Sequence, residues 1–329
     1  MSRIVEFTTA GGPDVLQFRD VDIPAPGDDE VRIRVKALGL NRAEAMWRQD
    51  AYIEPVTFPA RLGYEAAGTV EAVGRNVSGI VVGDAVNTIP AFSMSQYGMY
   101  GEVVLAPSYA VVKHPPSLTD EEAASIWMMF ITAYGALIED AKLTSGDAVI
   151  IPAASSSVGI AAIQLANLVG ATSIALTRTA AKRQQLLDAG ATHVVVTEEQ
   201  DLVAEVHAIT GGKGARVVFD PVGGPTLSKL VAAMSFQGIL YLYGALSTDA
   251  TPLPVLDMIG KMLTIKGHNI WETSGDPVRQ KEAVAFILKG FESGRLKPVI
   301  DRVFPFDQIV EAHRYLEANG QFGKIVVTV

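Results

Sequence analysis

The chain has 329 residues, 49% of them hydrophobic, with 30 glycines and a formal net charge of −9. That length accommodates two domains with separate cores, and the apolar content excludes a disordered chain. The acidic balance argues against nucleic acid or an anionic membrane as a partner, and the lack of any cysteine excludes disulfides and thiolate zinc sites.

Residues 1–40 alternate as strands do. Ile4, Val5 and Phe7 precede the turn Gly11–Asp14, Leu16 and Phe18 follow it, and Val31–Val35 reads as a half-buried strand. Leu38 to Glu44 turns into a short helix through Arg48. Strand-like stretches at Arg61–Val70, Val82–Val86, Gly101–Ala106 and Tyr109–Lys113 predict a partly closed antiparallel barrel. The texture changes at Pro115-Pro116. Thr119 and Glu122 have the spacing of a capping box, and Ala123–Ile138 predicts one buried helix, too short for a membrane span. Met1–Glu6 lacks the apolar core of a signal peptide, so a cytoplasmic protein is expected.

Strands and helices then alternate. Ala148–Ile151, Ser173–Thr177, His193–Val196, Val217–Asp220 and Ile239–Tyr243 read as strands, with helices at Ile160–Val169 and near residues 201–209 and 224–235. That order implies a doubly wound parallel sheet. After Ile265 the pattern is mixed: a helix from Pro277 to Ser293, then strands at Val299–Val303 and Lys324–Val329, the last expected to return to the first sheet. His114, His193, His207, His268 and His313 show no ligand spacing and read as surface or packing residues.

The segment 148–183 has the form of a dinucleotide-binding unit, a buried strand and a turn of small residues ahead of a helix whose N-terminus can face a pyrophosphate. The glycine positions of the usual G-x-G-x-x-G are held by Ala154, Ser156 and Gly159, and the retained Gly159 is expected to allow close helix–strand packing. NAD-binding units carry an acidic residue about 20 residues further on, for the ribose 2′-hydroxyl. Here that region holds Arg178, Thr179 and Lys182 instead. Basic side chains at a helix N-terminus oppose its dipole, so they do not serve the helix; a 2′-phosphate would use them, which points to NADP.

Several motifs stand in a specific order: Asn41 after a strand, Gly63-Tyr64-Glu65-Ala66-Ala67-Gly68, Gly83-Asp84-Ala85-Val86, Thr132-Ala133-Tyr134, Ala153–Gly159, Asp220-Pro221-Val222-Gly223-Gly224 and Gly323-Lys324-Ile325-Val326. Together they resemble the medium-chain dehydrogenase/reductase superfamily over the whole chain, and within it the zinc-free NADPH:quinone oxidoreductases and enone reductases. Zinc-dependent relatives place a cysteine near Asn41 and a histidine near Tyr64. The resemblance implies an α/β fold: a GroES-like barrel as catalytic domain over 1–122 and 266–329, and a Rossmann NADP-binding domain over 123–265.

It also implies roles. Asn41 would bond near the nicotinamide or its ribose, Thr132 would sit under the nicotinamide, and the N–H groups of Ser157 and Val158 would hold the pyrophosphate. Thr179, Lys182 and Arg178 would clamp the 2′-phosphate, Tyr243 and Gly244 would pass alongside the cofactor, and Lys324 would reach toward the same cleft. Ser156-Ser157 in the loop and Thr197, where many relatives have a tyrosine, depart from the pattern. Without a metal to polarise a simple ketone, a quinone or an α,β-unsaturated carbonyl is the expected acceptor, with Tyr52 the candidate proton donor. Met46, Trp47, Phe92, Met94, Met128, Phe130 and Trp271 read as core before pocket. A homodimer through an edge strand at Met258–Ile265 is expected. The rival readings are an alcohol dehydrogenase of the zinc type and an NADPH-binding protein that catalyses little.

Overall fold

The computed structural model describes residues 1–329, which divide into two compact units. Unit 1 comprises 1–128, 274–281 and 298–329; unit 2 comprises 129–273 and 282–297. In chain order the N-terminal elements are β1 (Ser2–Phe7), β2 (Gln17–Val21), β3 (Glu30–Gly39), α1 (Arg42–Arg48), β4 (Ala60–Arg61), β5 (Glu65–Val73), β6 (Ala85–Thr88), β7 (Val103–Pro107), β8 (Val111–Lys113) and α2 (Asp120–Ala123). They are followed by α3 (Trp127–Tyr134), β9 (Ala148–Ile151), α4 (Ser157–Leu168), β10 (Thr172–Thr177), α5 (Arg183–Asp188), β11 (His193–Val196), α6 (Leu202–Ile209) and β12 (Ala215–Asp220). The remainder is α7 (Leu227–Ala232), β13 (Met234–Leu242), α8 (Val255–Lys261), β14 (Thr264–Gly267), α9 (Trp271–Ser274), α10 (Pro277–Glu292), β15 (Ile300–Pro305), α11 (Ile309–Glu317) and β16 (Lys324–Thr328).

Unit 1 is the strand-rich part. A seven-stranded sheet runs β15-β16-β3-β5-β6-β8, with β7 also on β3, and a three-stranded sheet runs β2-β1-β4. The C-terminal strand does return: β16 pairs antiparallel with β3, Val326 opposite Gly39. The alternating positions Val31, Ile33 and Val35 of β3 all face the core with Phe7, Trp47, Phe92 and Met94. Trp47, Phe92, Met94 and, in unit 2, Phe130 are therefore core.

Unit 2 is built on six parallel strands in the order β11-β10-β9-β12-β13-β14. Strand β9, Ala148 to Ile151, is buried at all four residues, as a strand covered on both faces must be. Unit 2 runs to Thr273, past the expected boundary at 265, and includes 282–297, where Gln164 donates to the Lys297 carbonyl (2.9 Å) and Phe130 meets Phe291 edge-on (5.2 Å). No helix is long and apolar enough to cross a membrane.

Three local expectations need correction. The single helix over 123–138 is broken into α2, α3 and a π-helical turn over Gly135–Asp140. The break lies where the Ser125 hydroxyl bonds back to the Glu121 carbonyl (2.6 Å) and Glu65 accepts the Met128 N–H (2.9 Å), starting a new helix. The stretch 258–265 is not one strand: α8 runs to Lys261, Met262 takes a left-handed φ of 52°, and only Thr264–Gly267 forms the sheet edge. The helix near 224–235 is the shorter α7, preceded by a 3-10 turn over Gly224–Thr226.

Candidate functional site

In unit 2 the loop after β9 is shaped by small residues. Ala153 takes the left-handed φ of 48° that glycine adopts without cost. Ser156 keeps an extended backbone and caps α4, its Oγ accepting the Gly159 N–H at 3.1 Å. A Cβ on Gly159 would lie 2.7 Å from both Cα and O of Ala154, so only glycine lets the helix close on the strand. Ser157 and Val158 are the first two residues of α4, where backbone N–H groups have no intrahelical acceptor. These are the groups a pyrophosphate would take.

The end of β10 brings cations to this loop. Lys182, half-buried, donates from Nζ to Ser155 Oγ at 3.2 Å. Arg178 and Thr179 are exposed, and Thr179 caps the 3-10 turn Ala180–Lys182 without a side-chain bond. Thr197 is tied down, its N–H and Oγ both bonded to the Thr177 carbonyl (2.9 and 3.3 Å). Tyr243, just past β13, stacks on Phe219 at 3.9 Å and 19°, and burial of its hydroxyl raises its pKa well above the ordinary value. Gly244 passes so close to Pro221 that a Cβ would sit 2.8 Å from its carbonyl. Thr132 is buried in α3, and its carbonyl accepts from His268 Nε2 at 2.9 Å. The small-residue cradle, the unclaimed N–H groups and the basic cluster fit a phosphorylated dinucleotide.

Unit 1 holds a buried polar chain. Lys324 Nζ donates to Glu65 and to Asn41 Oδ1 (2.6 Å), and Asn41 Nδ2 donates to Glu44 Oε1, Glu65 Oε2 and the Gly39 carbonyl, each at 3.1 Å. Tyr100 donates to Glu44 at 2.6 Å and meets His313 Nε2 at 3.1 Å. Arg48 donates to His313 Nδ1 at 2.8 Å and to Glu317 at 2.6 Å. A guanidinium only donates, so Nδ1 is the acceptor and the proton of a neutral ring sits on Nε2, directed at Tyr100. Burial, then Arg48 and Arg42, lowers the His313 pKa to about 3, which keeps it neutral. Burial raises the Glu44 pKa against hydrogen bonds from Tyr100 and Asn41. Thus Asn41 and Lys324 are engaged inside unit 1. Glu44 and Tyr100 were not singled out in the sequence, and His313, read there as a surface or packing residue, is fully buried in this chain; the only cue was the capping-box spacing of Asn41 and Glu44.

Zinc does not fit this cluster. The Lys324 ammonium already occupies the oxygen atoms of Glu65 and Asn41, and a second cation there would meet its charge. No group of three or more His, Cys, Asp or Glu residues anywhere in the chain could hold a metal.

Tyr52 is half-buried, and burial, then Glu54 and Glu44, raises its pKa to about 12. The Tyr64 hydroxyl nearby is buried with no hydrogen-bond partner, and its pKa is raised by burial, then by Tyr52, Glu54 and Glu44. Both phenols therefore hold their protons at neutral pH.

The fold and the nucleotide cradle define a dinucleotide-dependent oxidoreductase. Residues 157–288 match the family model described as zinc-binding dehydrogenase, and 27–116 match that of the alcohol dehydrogenase GroES-like domain. The human quinone oxidoreductase is 32% identical, over 99% of this chain and 96% of that protein. Among solved structures, the Escherichia coli quinone oxidoreductase complexed with NADPH superposes with a TM-score of 0.90 at 28% identity, covering 99% of this chain and 100% of that one. An NAD-dependent alcohol dehydrogenase structure also reaches 0.90, at 32% identity and 99% coverage of both. The chain belongs to the medium-chain dehydrogenase/reductase superfamily. Within it, the chain falls in the NADPH:quinone oxidoreductase-like branch.

Proposed function

We propose that this protein transfers hydride from NADPH to a quinone or an α,β-unsaturated carbonyl. The observation that carries the reading is the Lys182 ammonium reaching Ser155 in the phosphate loop, with Arg178 and Thr179 beside it and no acid in the place that selects NAD. Ser157 and Val158 bind the pyrophosphate, and Arg178, Thr179 and Lys182 take the 2′-phosphate. Tyr243 and Gly244 line the cofactor's path, with Thr132 supporting the nicotinamide end. Bound NADPH supplies the hydride.

The acceptor must spread the incoming charge onto an oxygen and then be protonated. Tyr52 is the donor: with its pKa raised to about 12 the phenol stays protonated near neutrality and can direct its O–H at the developing oxyanion. Asn41 and Lys324 are positioning residues; through Glu65 they fix the start of α3. The protein acts as a homodimer joined at the β14 edge, beside which α8 exposes Val255, Leu256 and Ile259.

A panel of quinones, enones and enoyl thioesters assayed with NADPH and NADH tests the reading. NADPH should be preferred at least about tenfold in kcat/KM, worth about 1.4 kcal/mol. Turnover with alcohols and NAD alone would refute it. Tyr52→Phe should lower kcat about a hundredfold while NADPH binding holds.

A further inference from the structure

We propose that Glu54 is a positioning residue for the proton donor: its carboxylate latches the loop after α1 onto the turn at residues 92–97 and so holds the Tyr52 phenol in place. The proposal rests on the reading of Tyr52 as that donor.

The loop starts where α1 ends. Asp50 takes a left-handed φ of 55°, and the Ala51 N–H donates to the Met46 carbonyl at 2.9 Å. Residues 52–57 then make no backbone hydrogen bond to the rest of the chain, so side chains must fix this stretch. Its burial alternates: Tyr52, Glu54 and Val56 are half-buried, while Ile53, Pro55 and Thr57 are exposed. Alternate residues of an extended segment share a face. Tyr52 and Val56 use that face to pack on the unit 1 core, and Glu54 stands between them as the polar anchor.

The partner of that anchor is a well-held turn. Glu54 Oε1 accepts from Ser93 Oγ and from Ser95 Oγ, the latter at 2.9 Å. The Ser95 N–H donates to Ser93 Oγ at 3.0 Å, and the Gln96 and Tyr97 N–H groups donate to the Ser93 carbonyl at 3.1 and 3.0 Å. Phe92 and Met94, on either side of Ser93, are buried in the core. Ser274 Oγ donates to the Pro90 carbonyl at 2.7 Å, and the Tyr97 hydroxyl to Glu30 at 2.9 Å. Hydrogen bonds that end on a carboxylate are the stronger kind, so one side chain ties an otherwise loosely held loop to a fixed support.

The ionisable groups that bear on the Tyr52 phenol are Glu54, Glu44 and Tyr64, and both carboxylates favour its protonated form. A phenol is protonated near neutrality even without that help, since its ordinary pKa is about 10. Glu54 therefore contributes at neutral pH through where Tyr52 sits, not through its charge. Placement matters to rate: a displacement of about 1 Å can cost about a hundredfold.

The test is turnover of a quinone with NADPH by the full chain. Glu54→Ala should lower kcat about tenfold, with KM for NADPH within about twofold of the native value. Glu54→Gln keeps an oxygen that both hydroxyls can reach and should retain most of the rate. Should Glu54→Ala fail to fold, Ser93→Ala with Ser95→Ala cuts the same latch from the other side and should give the same loss. In a Tyr52→Phe background, Glu54→Ala should cost no more than about twofold, because the group it positions is gone. The proposal is overturned by native kcat in Glu54→Ala or in the double serine variant, or by a Glu54→Gln loss as large as that of Glu54→Ala. An undiminished Glu54→Ala loss in the Tyr52→Phe background overturns it too, and leaves Tyr52 as donor. Unchanged kcat in Tyr52→Phe alone would remove the donor and the latch together.

Discussion

The two units handle charge in opposite ways. Unit 1 buries Glu44, Arg48, Glu65 and Lys324 and closes each inside a chain of hydrogen bonds that surfaces only at Glu317. Unit 2 places two cations at the rim of the phosphate loop, with Arg178 exposed and the half-buried Lys182 reaching a serine hydroxyl on the loop itself. A buried closed network spends its charges on fixing one arrangement of the fold, whereas an exposed cluster keeps its charge available to a ligand. Variants in the two should therefore fail differently: in unit 1 through stability, in unit 2 through cofactor affinity.

The largest effect is expected at Lys324. Lys324→Met leaves Glu65 buried without its cation and should cost about 3–5 kcal/mol in urea unfolding. Adding Glu65→Gln should recover much of that loss, because the amide oxygen can still accept the Met128 N–H. If Lys324→Met were instead stable but bound NADPH poorly, the contrast between the units would collapse. Gly159→Ala comes next. Its Cβ would meet Ala154 backbone at 2.7 Å, so α4 must shift, at about 1–3 kcal/mol. Because the same helix start holds the pyrophosphate groups, NADPH titration should show a larger deficit than thermal unfolding does.

The third expectation concerns pH. His313 has a pKa of about 3 in the folded state, below its ordinary value of 6.5, so the unfolded chain binds the extra proton between those limits. Its contribution is intact above the unfolded value and is lost progressively as pH falls toward the folded one. Between pH 7 and 5 that amounts to about 2 kcal/mol. Glu44, with its raised pKa, works in the opposite direction, so the quantity to measure is the difference between the native chain and His313→Gln at each pH. An identical pH slope in both proteins would remove His313 from the network's energetics.

His313 also marks where the sequence stopped being legible. The parallel sheet could be read because its strands are short apolar runs with small-residue turns, and Gly159 because its spacing from the strand leaves one role. The helix over 123–138 was misplaced because apolar content cannot reveal that Glu65, far back in the chain, supplies a new start at Met128. The network was hidden for the same reason. Arg48 and His313 are 265 residues apart, and nothing in either neighbourhood signals the other. Asn41 was found by its motif, but its partner Lys324 lies 283 residues away, so the internal use of both side chains became visible only in the fold.

The smallest effect should be the most selective. Arg178 makes no ion pair and is exposed, so Arg178→Asp should leave the unfolding transition within about 0.5 kcal/mol of the native chain. The new carboxylate would stand where an acid can accept a ribose 2′-hydroxyl and repel a 2′-phosphate. The NADPH preference should therefore shrink by about tenfold, chiefly in KM, with kcat for a quinone nearly unchanged. Lys182 should account for what preference remains, since its ammonium is already directed at the loop. An unaltered coenzyme preference in Arg178→Asp would mean that the exposed cations of unit 2 do not read the phosphate, and the functional half of the contrast would then rest on Lys182 alone.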